Sequence, residues 1–194
     1  MVQWHIAAAF VLAHHCLLAA PQARAQNLET KVNPTAALLL EFNERIEDYM
    51  ELREDAAEEV ADADVTRDPA RIRARENALA TRIRALRAAA KHGDIFTPEI
   101  RALFRRLVAP YVKGEPGREL TSTLKEDAPA PGAVPLEVNA KYPAGVPFPT
   151  TPPSLLLALP QLPTGLEYRI IGKDLVLLDQ PADVILDYIQ NVIK

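Results

Sequence analysis

Covalent catalysis needs a Ser, Cys or Thr beside a base, and this chain carries few such groups in a usable arrangement. Cys16, the only Cys, the only Trp and three of the four His fall within the first 25 residues. Downstream of them His92 is the single imidazole. Ser122, inside Thr121-Ser122-Thr123, and Ser154, after Pro152-Pro153, lie in no Gly-x-Ser-x-Gly elbow, so a Ser-His-Asp set would have to recruit His92. The spacing gives His92 a simpler role at the C-terminal turn of a helix, where an imidazolium interacts favourably with the helix dipole. The seven glycines form no phosphate-cradling loop. Glu47-Asp48, Glu54-Asp55 and Glu58-Glu59 are adjacent pairs on a helical pattern; neighbours at i, i+1 point apart, so solvation explains them better than acid-base work. No catalytic, cofactor-binding or metal-ligating residue is assigned, and no cofactor is expected.

What remains is a set of polar residues embedded in the apolar stretch from Leu155 to Asp187: Tyr168, Arg169, Asp174, Asp179 and Asp187. Two readings compete. In one, Tyr168 and Arg169, with Asp174, line a ligand groove. In the other, Arg169 pairs with a nearby Asp and fixes the register of a hairpin.

The elements that must position these residues follow from local pattern. Leu166–Ile171 and Asp174–Leu178 are short β-prone runs, and Gly172-Lys173 supplies the positive φ of a two-residue turn. Alternation puts Tyr168 and Ile170 on one face, and Glu167, Arg169 and Ile171 on the other. So small a hairpin needs a surface to lie on. Upstream, Asn33-Pro34 opens a helix whose apolar stripe runs to about Val60, and Asp68-Pro69 opens a second that is expected to end at Gly93. Thr97-Pro98 opens a shorter third helix, stopped by Pro110. Residues 41 to 64 hold 11 acidic and 2 basic side chains, a net of −9, and residues 67 to 106 hold 11 basic and 4 acidic, a net of +7. An antiparallel pair would set these flanks against each other, giving orientation more than stability, since exposed pairs are worth only about 0–1 kcal/mol each.

Between Pro110 and Pro163 lie 12 of the 17 prolines. Residues 125 to 135 have the composition of a flexible linker, residues 136–142 alternate like a strand that would add to the hairpin's edge, and Pro152-Pro153 starts one or two helical turns. After the hairpin, Asp179-Gln180-Pro181 resembles a helix start, while β-branching through Val184 to Tyr188 favours a third strand. The balance tips slightly to a terminal helix.

Residues 1–25 have the pattern of an export signal: an apolar stretch from Ile6 to Ala20, then Ala23-Arg24-Ala25 as a small-x-small cleavage site. The alternative is an uncleaved anchor, against which the apolar stretch is short. Past residue 25 no run approaches a membrane span, there is no thiol, and 21 basic residues face 26 acidic ones.

Two segments carry a resemblance. Lys91-His-Gly-Asp-Ile-Phe-Thr-Pro-Glu-Ile100, and Leu159-Pro-Gln-Leu-Pro-Thr-Gly-Leu-Glu-Tyr-Arg-Ile-Ile-Gly-Lys-Asp-Leu-Val-Leu-Leu-Asp179 within residues 142–187, resemble a group of uncharacterised exported bacterial proteins. The hairpin pattern is also loosely similar, over about 25 residues, to the C-terminal part of periplasmic nickel and cobalt homeostasis proteins. The latter likeness implies a hairpin shape; with one imidazole past residue 25, it implies no metal site here.

The sequence therefore predicts an α+β protein: signal peptide 1–25, flexible lead-in 26–33, helical region 34–110, Pro-rich connector 111–153 with a possible strand 136–142, and C-terminal β-hairpin unit 154–194. The expected role is that of a non-enzymatic periplasmic or secreted adaptor or binding module with an envelope protein partner, no nucleic acid and no membrane span once the signal is removed. Two alternatives stand behind it: a hydrolase or lyase using carboxylates alone, and an anionic-surface binder through the Arg-rich helix, which would require that helix's basic face to be uncovered.

Overall fold

A computed structural model describes residues 33–61, 67–126 and 128–193; the expected signal peptide and nearly all of the lead-in lie outside them. The protein is α+β, with five helices and a three-stranded antiparallel sheet in the order β1-β2-β3. The first three helices begin where a capping side chain meets a proline. Asn33 Oδ1 accepts from Thr35 N (3.0 Å) at α1, Pro34–Glu59; Asp68 Oδ1 accepts from Ala70 N (2.9 Å) at α2, Pro69–Leu86; Thr97 Oγ1 accepts from Ile100 N (3.4 Å) at α3, Pro98–Val108. Each such cap satisfies a main-chain donor the helix itself cannot and contributes about 1 kcal/mol.

The second helix ends seven residues before Gly93, not at it. After Leu86 the chain tightens into i→i+3 bonds, Ala88 N to Ala85 O and Ala90 N to Arg87 O, and leaves the helix axis to deliver residues 92–96 to the sheet. Gly93 keeps its positive φ of 94°, but within this loop. His92 is accordingly a loop residue held by side chains, not a helix-end cation.

The connector is more ordered than its composition suggests. It contains α4, Gly114–Glu126, which Gly114, Pro116 and Gly117 of its own sequence disguise, and the helical turns expected after Pro152 follow it as the short α5, Pro153–Ala158. Gly117 is indispensable there, because a Cβ would run into the main-chain carbonyl of Val112. Residues 136–142 do not form a strand and do not extend the hairpin through β1. They meet the opposite edge of the sheet, through Asn139 N to Ile185 O, Ile185 N to Ala140 O and Tyr142 N to Asp183 O.

The strands are β1, Leu166–Ile171, β2, Asp174–Asp179, and β3, Val184–Ile189. The terminal apolar run is thus a strand, and the helix expectation for it is corrected: β-branched Val184 and Ile185 and the ladder to β2 outweigh the Asp-Gln-Pro start signal. Gly172 takes φ 62° in the β1–β2 turn.

Both faces of the sheet are covered. Leu166, Tyr168, Ile170, Leu175, Leu177, Val184, Leu186 and Ile189 pack on the helices against Phe42, Ile46 and Tyr49 of α1, Ile83 of α2 and Ile100 and Phe104 of α3. Phe42, Phe96 and Phe104 form an aromatic cluster at centroid distances of 5.0 to 5.9 Å, worth about 0.5–1.5 kcal/mol per pair beyond area burial. On the second face Val176, Leu178 and Ile185 pack against Val134 and Tyr142 of the connector. The residues expected to be a flexible linker therefore end in a core layer. Between α1 and α2 one ion pair crosses among the described residues, Glu59 with Arg82 at 2.5 Å, in the sense that the opposed charges of the two helices imply.

The register of β3 shifts once. Leu178 pairs with Ile185 but Leu177 with Asp187, which leaves Leu186 as the extra residue of a bulge. Strict alternation from Ile185 would turn Asp187 toward the connector; the bulge turns it toward the helices.

Candidate functional site

Asp187 is fully buried, and its carboxylate organises residues 92–96. Its Oδ2 accepts from the main-chain N–H of Ile95 (3.0 Å) and Phe96 (2.8 Å), Oδ1 accepts from Tyr188 N (2.8 Å), and Gly93 N lies 3.2 Å from both. His92 Nδ1 is 3.1 Å from Oδ1, its ring stacks on Tyr188 at 4.3 Å, and its Nε2 is 3.4 Å from Arg101 Nη1. This is an anion nest of successive N–H groups filled by the protein's own carboxylate. At the C-terminal end of β2 Asp179, also fully buried, accepts from Tyr49 Oη (2.6 Å), Arg53 Nε (2.7 Å) and Ala182 N (3.0 Å). Burial and the neighbouring Asp179 carboxylate push the Tyr49 phenol far above its usual range, so Tyr49 is a permanent donor here.

These two aspartates are the polar residues of greatest structural consequence, and the sequence grouped them only as polar positions in an apolar run. Their lone pairs are taken up by protein donors, so the carboxylates act as clamps between the helical layer and the sheet. The adjacent acidic pairs of α1, Glu47-Asp48, Glu54-Asp55 and Glu58-Glu59, are solvent-exposed as expected. Among the described residues no group of three or more His, Cys, Asp or Glu side chains is placed to hold a metal ion.

Tyr168 and Arg169 line a groove of about 540 Å³ together with Thr150, Thr151, Leu157 and Gln161. Asp174 lies apart, at the turn end of the hairpin, where its Oδ1 accepts from Asn191 N (2.7 Å). β1 is an edge strand. Gly165 O accepts from Gln180 N, so the alternate residues Glu167 and Arg169 bond to β2 and the main-chain groups of Tyr168 and Ile170 turn to the open edge. Thr151 Oγ1 donates to Tyr168 O (2.7 Å), which confirms that direction. The Tyr168 ring itself belongs to the core: it meets Phe104 edge-on at 6.1 Å, and burial pushes its phenol up.

No family model, curated protein or solved structure matches this chain.

Arg169 does pair, but with Glu167 and not with an aspartate; the two are i, i+2 on one face of the strand. Its Nη1 also donates to Pro149 O (3.3 Å), and its guanidinium lies 5.5 Å from the centroid of Phe148, which stacks on Tyr142 at 4.4 Å. The side chain thus braces one wall of the groove. The other wall is α5, where Leu157 is 87% exposed and Leu156 44%. With Phe148, three of the six exposed large apolar side chains of the described residues gather around this one strand edge.

Proposed function

We propose that the protein is a non-enzymatic binding module of the cell envelope whose groove receives an extended apolar segment of a partner protein. The observation that carries this is the pairing of an open strand edge with exposed Leu156 and Leu157 on a single groove. An extended peptide laid along β1 would bond to Tyr168 N and the outward main-chain groups of Ile170, displace Thr151 from Tyr168 O or leave it in place, and set alternate side chains against α5, the mode of recognition by strand addition. Exposed apolar side chains clustered at a concave site favour a protein ligand over solvent. The envelope location rests on the leader-like first 25 residues.

A second reading, attachment to an anionic surface, is favoured by one observation: residues 69–78, the first ten of α2, are all solvent-exposed, and Arg73 and Arg75 stand among them. A single experiment separates the two. In a nitrogen-15 NMR titration with a set of extended apolar peptides and with anionic vesicles, groove binding shifts the amides of Thr151, Tyr168 and Ile170 with peptide and is lost in Leu157→Asp at unchanged melting temperature. No peptide-dependent shift along β1 would refute the groove; vesicle binding abolished by Arg73→Glu but not by Leu157→Asp would establish the second reading in its place.

A further inference from the structure

The first ten residues of α2, 69–78, are all exposed, so no face of this length of helix is covered by the described residues. The helix runs back along α1: Arg87 lies over the Tyr49 ring, and Arg82 meets Glu59, the last residue of α1. The residues before Arg82 therefore lead past that end, and the ten exposed ones, at 1.5 Å each, make an arm about 15 Å long. The arm carries Arg71, Arg73 and Arg75 against Glu76. Arg71, Ala74, Arg75 and Ala78, three and four residues apart, form one row on the side away from Ala80 and Ile83, the buried residues of α2.

The outer face of α1 has the opposite charge. Glu44, Glu47, Asp48, Glu51, Glu54, Asp55 and Glu58 are all exposed and form a ridge about 21 Å long, half a turn away from the buried Phe42, Ile46, Tyr49 and Ala56. Carboxylates at these i, i+3 and i, i+4 spacings are neighbours on the helix surface and repel one another. The two cations of α1 are engaged elsewhere, Arg45 by Glu41 and Arg53 by Asp179. Within one chain the arm cannot reach this ridge, because the ridge stops with α1 and the arm leads away from its end. A polycation would answer the ridge and not the arm; an anionic surface would answer the arm and be repelled by the ridge. A second copy of the chain answers both.

We infer that two copies associate about a two-fold axis by exchanging arms, residues 69–78 of each lying along the acidic ridge on the other's α1. The contact is isologous, so each copy gives one arm and receives one. Ala74 and Ala78 let the two helices approach, and Arg71 and Arg75 reach the carboxylates of the ridge. The surface is independent of the β1 groove.

Sedimentation of the intact chain tests this. The expected result is a dimer with a dissociation constant on the order of 10 μM at about 50 mM salt, weakened at least about tenfold at about 500 mM salt, where charges on exposed surfaces are screened within a few ångströms. Arg71→Glu with Arg75→Glu should be monomeric, and so should Glu51→Lys with Asp55→Lys. An equimolar mixture of the two variants should regain the dimer, since a reversed arm then meets a reversed ridge while the unaltered arm and ridge meet each other. All four positions are exposed, and circular dichroism checks that each variant is folded. A monomer at every concentration in low salt would overturn the association. A dimer insensitive to both reversals, or variants that stay monomeric when mixed, would overturn the arm exchange, as would a dimer that Leu157→Asp abolishes, which would place the contact at the groove.

Discussion

Replacing Asp187 by Asn tests whether one carboxylate holds the 92–96 loop to the sheet. The change is nearly isosteric, so its cost is hydrogen bonding and charge. If the new amide nitrogen takes the place of Oδ2, the N–H groups of Ile95 and Phe96 lose their acceptor; if it takes the place of Oδ1, Tyr188 N does. At least one buried main-chain donor is stranded either way, at about 1–3 kcal/mol, and the surviving bonds lose the strength that a charged acceptor gives. A total of about 3 kcal/mol follows, or a fall in melting temperature of roughly 6–12 °C for a domain of this size. Scanning calorimetry measures the fall, and hydrogen exchange should show faster loss of protection at Ile95 and Phe96 than elsewhere. A decrease of less than about 2 °C with protection at those amides unchanged would refute the clamp.

Two further outcomes follow from buried or strained polar groups. Tyr49→Phe removes the donor 2.6 Å from Asp179 and should cost about 1–3 kcal/mol in chemical denaturation, while a cost near zero would mean that Arg53 and Ala182 N suffice alone. Desolvation, with a smaller push from Asp179 and opposed by Lys141, raises the Asp183 carboxyl above its ordinary value, so the folded state holds that proton to higher pH than the unfolded chain. Stability should then decline as pH rises from about 3.9 through the raised folded value. Asp183→Asn, at a residue with φ 53° that Asn tolerates well, should be more stable than wild type at neutral pH by a few tenths of a kcal/mol after allowance for solvent screening. That advantage should shrink below the carboxylate range, and an equal difference at pH 3 and pH 7 would contradict the assignment.

Much of the architecture was readable because its signals are local. Asn33-Pro34, Asp68-Pro69 and Thr97-Pro98 each place a cap and a ring-fixed φ within two residues, and Gly172 with alternating Leu166 to Leu178 specifies a hairpin without distant help. The features that escaped depend on partners far along the chain. α4 forms despite Gly114, Pro116 and Gly117, with Leu120 and Leu124 buried in the main core. For β3 the sequence leaves strand and helix in competition, because Pro181 and the run Val184 to Ile189 suit either, and the ladder to β2 decides. Of the proposed groove residues, Tyr168 and Arg169 come together and Asp174 does not, because a hairpin carries the latter to its far end. Asp187 carried a signal, a lone acid within Val184 to Ile189, but its inward direction rests on a bulge that no two-residue period announces.

The distance along the chain between Asp187 and the loop it grips has a consequence for the order of assembly. Asp187 and His92 are 95 positions apart, so during synthesis the helical half emerges without the acceptor that fixes its central loop and without the strands that cover Phe42 and Phe104. Until β3 has been made, those aromatic rings have only one another and Tyr168 of β1 to pack against. Closure of the helical layer onto the sheet is therefore a late event, governed by arrival of β3.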